Sequence, residues 1–148
     1  MNEVIVYPES PSVGMFSDCN NLTIARMYTD IISENMFYRC SNLSRIYRSD
    51  VIRQFGDSSL VGTTCLHDIR FGNDTNIGMS AFSESGIEYA HFGNNCTIGM
   101  AAFSGCKNIM KLNRFDTIAS IGQYSFDQSN VNIYINPKTG KYGYYLEG

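Results

Sequence analysis

Charge is scarce in this sequence: Asp, Glu, Lys and Arg make up only 17% of its 148 residues, little for a water-exposed surface. Asn, Ser, Tyr and Gly fill much of that space instead. The net charge of −3 offers no whole-chain attraction to a polyanion, so no nucleic-acid partner is expected. No apolar run approaches the roughly 18–20 residues of a bilayer-crossing helix, so no membrane insertion is expected. The opening segment MNEVIVYPES has no basic stretch, and its apolar run is too short for a secretory signal. The expectation is a protein that stays inside the cell, or a processed piece of a longer chain that is secreted or displayed on the cell surface.

Catalytic side chains are equally sparse. The only histidines are His67 and His91, and a triad or metal site needs one of them beside a nucleophile or a ligand set. His67 precedes Asp68, but neighbouring residues of a strand face opposite ways, so the two form no relay. Both histidines read as solvent-exposed. The five cysteines include no C-x-x-C and no Cys/His cluster at metal-ligand spacing. No metal, no cofactor and no enzymatic activity are expected.

What the sequence does hold is apolar content, 43%, enough for a core, and a period. IGMSAFSESGIEYAHF starts at Ile77 and IGMAAFSGCKNIMKLNRF at Ile98; IGQYSF starts at Ile121. Earlier copies are FGDSSL from Phe55, ISENMF from Ile32 and the VGMF that ends at Phe16. The anchors Phe16, Phe37, Leu60, Phe82, Phe103 and Phe126 are therefore 21, 23, 22, 21 and 23 residues apart. Three residues after each comes a small side chain: Cys19, Cys40, Thr63, Ser85, Cys106 and Ser129. Five or six after comes Leu22, Leu43, Leu66, Ile87, Ile109 or Val131.

A fixed period of this length is the mark of a solenoid. The Gly of I-G permits a tight turn. The A-F-x-x-small run has apolar groups at i, i+3 spacing and predicts a short helical turn. Segments such as Leu66 to Phe71, LHDIRF, predict strands. Successive strands would stack in parallel about 4.8 Å apart, giving a sheet roughly 25–30 Å long. No coil can bury its apolar face alone, so stability comes from stacking. Arg48 and Arg114 interrupt the pattern, each standing where the second inward strand residue should be apolar. Cys19, Cys40 and Cys106 are expected to be buried. Neighbouring coils could bring Cys19 and Cys40 within bridging distance, but the reduced ladder is the favoured reading.

The motifs IGMSAF, IGMAAFSGC, MFYRCSNLSRI and MFSDCNNL resemble the BspA-type leucine-rich repeat, and the likeness runs from about Val4 to Ile135. It implies an α/β leucine-rich-repeat solenoid of about six repeats. A parallel sheet would line its concave face, with short helical turns and loops on the convex face. It also implies surface-associated or secreted relatives with adhesive or partner-binding roles, and no family active site. The whole of residues 1–148 then reads as one domain. Residues 1–12 would be a partial turn or cap, 13–136 the repeats, and 137–148 either a cap or a disordered tail.

If Ile69 and Phe71 point inward, Asp68 and Arg70 point out onto the concave sheet. The same frame exposes Ile24, Arg26, Arg45, Tyr47, Tyr89, His91, Lys111 and Asn113. Arg and Tyr are enriched at binding hot spots. Arg26, Arg45, Tyr47, Arg70, Tyr89, His91 and Lys111 are therefore the candidate ligand-binding residues, for a protein partner or an acidic glycan. The bland reading is that Tyr and Arg simply suit outward strand positions. The competing role is a spacer, either monomeric or associating end to end. N-x-S/T sequons at Asn21, Asn42, Asn73 and Asn95 matter only in a eukaryotic secretory pathway.

Overall fold

The computed structural model describes residues 2–8 and 12–148. Of the partial turn expected over residues 1–12, positions 1 and 9–11 lie outside the described residues. In chain order the strands are β1 (Glu3–Val6), β2 (Ile24–Met27), β3 (Ile31–Ile32), β4 (Arg45–Tyr47), β5 (Gln54–Phe55), β6 (Asp68–Arg70), β7 (Asn76–Ile77), β8 (Tyr89–His91), β9 (Thr97–Ile98), β10 (Lys111–Asn113), β11 (Ser120–Ile121), β12 (Val131–Ile135) and β13 (Tyr142–Leu146).

Two kinds of strand alternate, so the chain coils. The short ones form one unbroken parallel sheet, β3-β5-β7-β9-β11. The longer ones form two parallel sheets, β1-β2-β4 and β6-β8-β10, with no ladder between β4 and β6. The single continuous sheet expected from the period is thus two ladders, one of them divided.

The division has a sequence cause. The 23-residue steps hold one extra residue, Arg48 or Arg114, and each adopts a left-handed conformation (φ 68° and 63°) before a 3-10 turn, Ser49–Val51 or Phe115–Thr117. The inward place expected to fall on the arginine is filled one residue later, by Ser49 or Phe115, both buried. Both insertions coincide with a break: β4 does not pair with β6, and among the described residues nothing continues the parallel ladder beyond β10. The sixth rung, β12, pairs antiparallel with β13 instead. The resulting hairpin lies against the last coil, with Tyr142 and Tyr144 edge-on to Phe115 at 6.5 and 5.4 Å. The Leu112 amide, left without a strand partner, donates to the Tyr144 hydroxyl at 2.9 Å.

The expected helical turns are corrected. Among the described residues there is no α-helix. Each anchor is flanked by left-handed residues two places before and two after it: Asn35 and Arg39 around Phe37, Ser80 and Glu84 around Phe82, Ala101 and Gly105 around Phe103, and likewise in the other coils. A left-handed residue every fourth position excludes a right-handed helix. The arm is a run of tight turns whose amides alternate in direction. Met36 N–H donates to Ser33 within its own turn (3.0 Å), and Phe37 N–H donates to Ser59 of the next coil (2.8 Å). The i, i+3 spacing came from four-residue turns.

The role of the I-G glycine also changes. Gly56, Gly78, Gly99 and Gly122 do not have positive φ. A Cβ on Gly99 would lie 2.7 Å from the Ile77 carbonyl oxygen and 2.9 Å from the Gly78 carbonyl carbon. Glycine is required because the backbones of adjacent coils approach that closely.

Two aromatic ladders run through the core. Phe82, Phe103 and Phe126 stack at 5.3 and 5.2 Å, and Phe16 stacks on Phe37 at 5.7 Å. Phe71, Phe92 and Phe115 form the second, meeting the first edge-to-face, as at Phe71–Phe82 (5.5 Å) and Phe115–Phe126 (5.9 Å). Where the anchor is Leu60, Phe55 stands in the preceding Ile position and lies 5.4 Å from Phe82, a volume-conserving exchange.

All five cysteines are free. Cys40 and Cys106 are buried and donate to the anchor carbonyl of the preceding coil, Phe16 (3.0 Å) and Phe82 (3.1 Å). Cys19, expected to be buried, is only half-buried. Burial pushes the Cys40 and Cys106 thiols up from an ordinary 9.0 to about 11. The fold therefore favours the neutral thiol. That stability is complete below pH 9 and is lost as pH rises toward 11. Urea midpoints should fall across that interval, and by less in a Cys40→Ala/Cys106→Ala variant; equal falls would contradict the assignment.

Candidate binding surface

Alternation within each three- or four-residue strand sends every second side chain outward. Registers align these in columns. Glu3, Ile24 and Arg45 form one and Ile5, Arg26 and Tyr47 another on β1-β2-β4. Asp68, Tyr89 and Lys111 form a third and Arg70, His91 and Asn113 a fourth on β6-β8-β10. The seven candidate residues therefore share the outward face, in two groups separated by the break.

In the first group, Arg26 Nε lies 2.6 Å from Glu3 Oε1, and its guanidinium sits 4.3 Å from the centre of the Tyr47 ring. Arg45 donates to the Tyr47 hydroxyl at 3.1 Å and also lies over that ring. In the second group, His91 is half-buried rather than freely exposed. Its Nδ1 lies 2.7 Å from Asn113 Nδ2 and its Nε2 3.4 Å from Asp68 Oδ1. Asp68 thus pairs with the histidine of the next coil and not with its sequence neighbour. His67 turns to the Gly86 carbonyl at 2.9 Å and to Glu88 at 3.5 Å. Among the described residues no hydroxyl or thiol is hydrogen-bonded to either ring, and no group of three or more His, Cys, Asp or Glu could hold a metal ion. Nor is any helix there long and apolar enough to cross a membrane.

Arg45, Arg70 and Lys111 are exposed, and among the described residues none pairs with a carboxylate. Tyr89 is 37% exposed. A neighbouring column lies outside the seven expected residues: Tyr7 stacks on Tyr28 at 5.6 Å, and the Arg48 guanidinium lies 5.0 Å over Tyr28. Both rings are about half exposed, at 50% and 47%. The spacing from Tyr7 to Tyr28, 21 residues, matches the repeat and could have revealed them. Of the sequon asparagines, three are engaged between coils: Asn42 with the Asn20 carbonyl, Asn73 with the Asn94 amide and Asn95 with Asp74.

Comparison with protein families matches the model of the BspA type leucine rich repeat region, with six copies, over residues 9–88 and 75–145. The chain belongs to the BspA-type leucine-rich repeat family. Among solved structures, this BspA-type chain is similar to a leucine-rich repeat protein from Bacteroides ovatus ATCC 8483. The TM-score is 0.55 at 18% identity, over 86% of this chain and 29% of that one, a likeness of fold alone. The chain thus spans less than a third of that protein's length. No curated protein matches. BspA-type repeats are modules of a kind common in protein interaction and typically non-enzymatic.

Proposed function

We propose that this chain is a non-enzymatic, adhesin-like binding module that takes a partner on the outward sheet face, the concave one in the geometry the family implies. The supporting observation is the set of exposed cations, Arg45, Arg70 and Lys111, that lack carboxylate partners among the described residues, with Arg45 over the Tyr47 ring and Lys111 in register with Tyr89. In a chain of net charge −3 an unpaired basic and aromatic strip is a distinctive local field, and it suits an acidic protein surface. An acidic glycan is the alternative ligand.

A screen of immobilised proteins and acidic glycans identifies the partner. The variant Arg45→Glu/Arg70→Glu should then bind it at least about tenfold more weakly, with an unchanged thermal midpoint. Unaltered affinity would refute the reading.

A second reading, end-to-end assembly, draws on the first described coil. Val13 and Met15 there are 67% and 42% exposed, and among the described residues β1 pairs on one side only. Light-scattering mass that grows with concentration would favour it.

A further inference from the structure

The break between β4 and β6 opens a cavity of about 270 Å³ whose walls include Arg45, Ile46, Ser49, Asp68 and Arg70. In β6 the His67 carbonyl accepts from Tyr89 and the Phe71 amide donates to His91, so residues 67, 69 and 71 face β8. Alternation then points the backbone of Asp68 and Arg70 the other way, at β4. A closed ladder would have the Asp68 amide donate to the Ser44 carbonyl, as Arg45 does to Thr23 at 3.3 Å and Tyr89 to His67 at 3.0 Å. That bond is absent. The Ser49 hydroxyl crosses the gap instead, donating to the Arg70 carbonyl at 2.6 Å.

A polar slit with an unused strand amide, flanked by two guanidinium groups, is an anion receptor in form. Its one carboxylate, Asp68, lies against His91 at 3.4 Å. Arg70 has no side-chain partner among the described residues, and that of Arg45 is the neutral Tyr47. The slit is too narrow for a strand, because Ser49 bridges it, but it admits a single side chain. The geometry points to the gap between β4 and β6 as a receptor for one carboxylate side chain of an acidic peptide segment, held by Arg45, Arg70 and the Asp68 amide. This deepens the proposed binding role and rests on it for the peptide's origin.

The test uses the full chain, labelled with nitrogen-15, and a short blocked peptide containing one Glu, with its Gln counterpart and glucuronate as further probes. The Glu peptide should move the Asp68 amide and the Arg45 and Arg70 Nε signals saturably, and the Gln peptide should not. The shifts should vanish in Arg45→Gln/Arg70→Gln. They should also vanish when Arg48 is deleted, which closes the ladder while keeping both arginines. If that deletion prevents folding, hydrogen exchange of the unaltered chain serves instead: the Asp68 amide should exchange faster than that of Tyr89. A protected, unmoved Asp68 amide would overturn the assignment, as would equal response to the Gln peptide or a response to glucuronate alone. Failure here leaves the charge-reversal result for the natural partner standing. Failure of that result leaves the peptide titration standing.

Discussion

Replacing Phe103 with alanine should cost about 3–5 kcal/mol, the range for deleting a fully buried Phe ring. Phe103 is inaccessible to solvent and stacks nearly flat on Phe82 and Phe126, with interplanar angles of 6° and 7°. It also meets Phe92 edge-on at 6.3 Å. The cavity would thus touch rings in both adjoining coils, Phe82 and Phe92 in one and Phe126 in the other. Solenoid stability is a sum of coil and nearest-neighbour terms, so cutting one rung weakens both adjoining interfaces together. Phe16 gives the control, being half-buried with one stacking partner, Phe37. Its replacement should cost less than half as much. Urea denaturation of both variants measures the difference. Equal losses would mean that stacking between coils is not what the rings contribute.

Replacing Gly93 with alanine should be nearly as damaging, about 3 kcal/mol, the upper end for overpacking. The added Cβ would lie 2.3 Å from the Gly72 carbonyl carbon and 2.5 Å from Asn73 N. Both are backbone atoms that cannot yield without separating the coils. Separation would stretch the bond from Asn94 N to Asn73 Oδ1 (2.7 Å) and that from Asp74 N to the Asn94 carbonyl (2.8 Å). Gly62 is the opposite case. It has φ +74°, but its nearest neighbour is the Arg39 Cγ at 3.5 Å, so Gly62→Ala carries only a conformational cost of about 1 kcal/mol. If Gly62→Ala lowers the urea midpoint more than Gly93→Ala, coil contact is not what demands glycine.

These two positions were legible to different degrees. Phe103 stands out because its frame recurs in six copies, and a side chain that must stack on its own equivalents has to recur. The need for Gly93 was hidden, since a glycine that avoids a clash and one that supplies positive φ look the same in sequence. The helical turns were misread for a related reason. Four-residue turns and a helix both bring residues i and i+3 to one side, and only backbone angles such as those of Asn35 and Arg39 tell them apart. The outward placement of Arg26, Arg45, Tyr47, Arg70, Tyr89, His91 and Lys111 followed from strict alternation.

What the sequence determined by itself was the coil: its period, the side chains sealing its interior and those facing out. Each depends on local alternation and on burial repeated at constant spacing, which one-dimensional order records. The tertiary structure alone decided where the ladder opens, that Asp68 meets His91 rather than His67, and that the last strand turns back on a hairpin. Those outcomes depend on how one coil settles on the next. A single extra left-handed residue, Arg48 or Arg114, shifts that settling by a distance no residue count expresses.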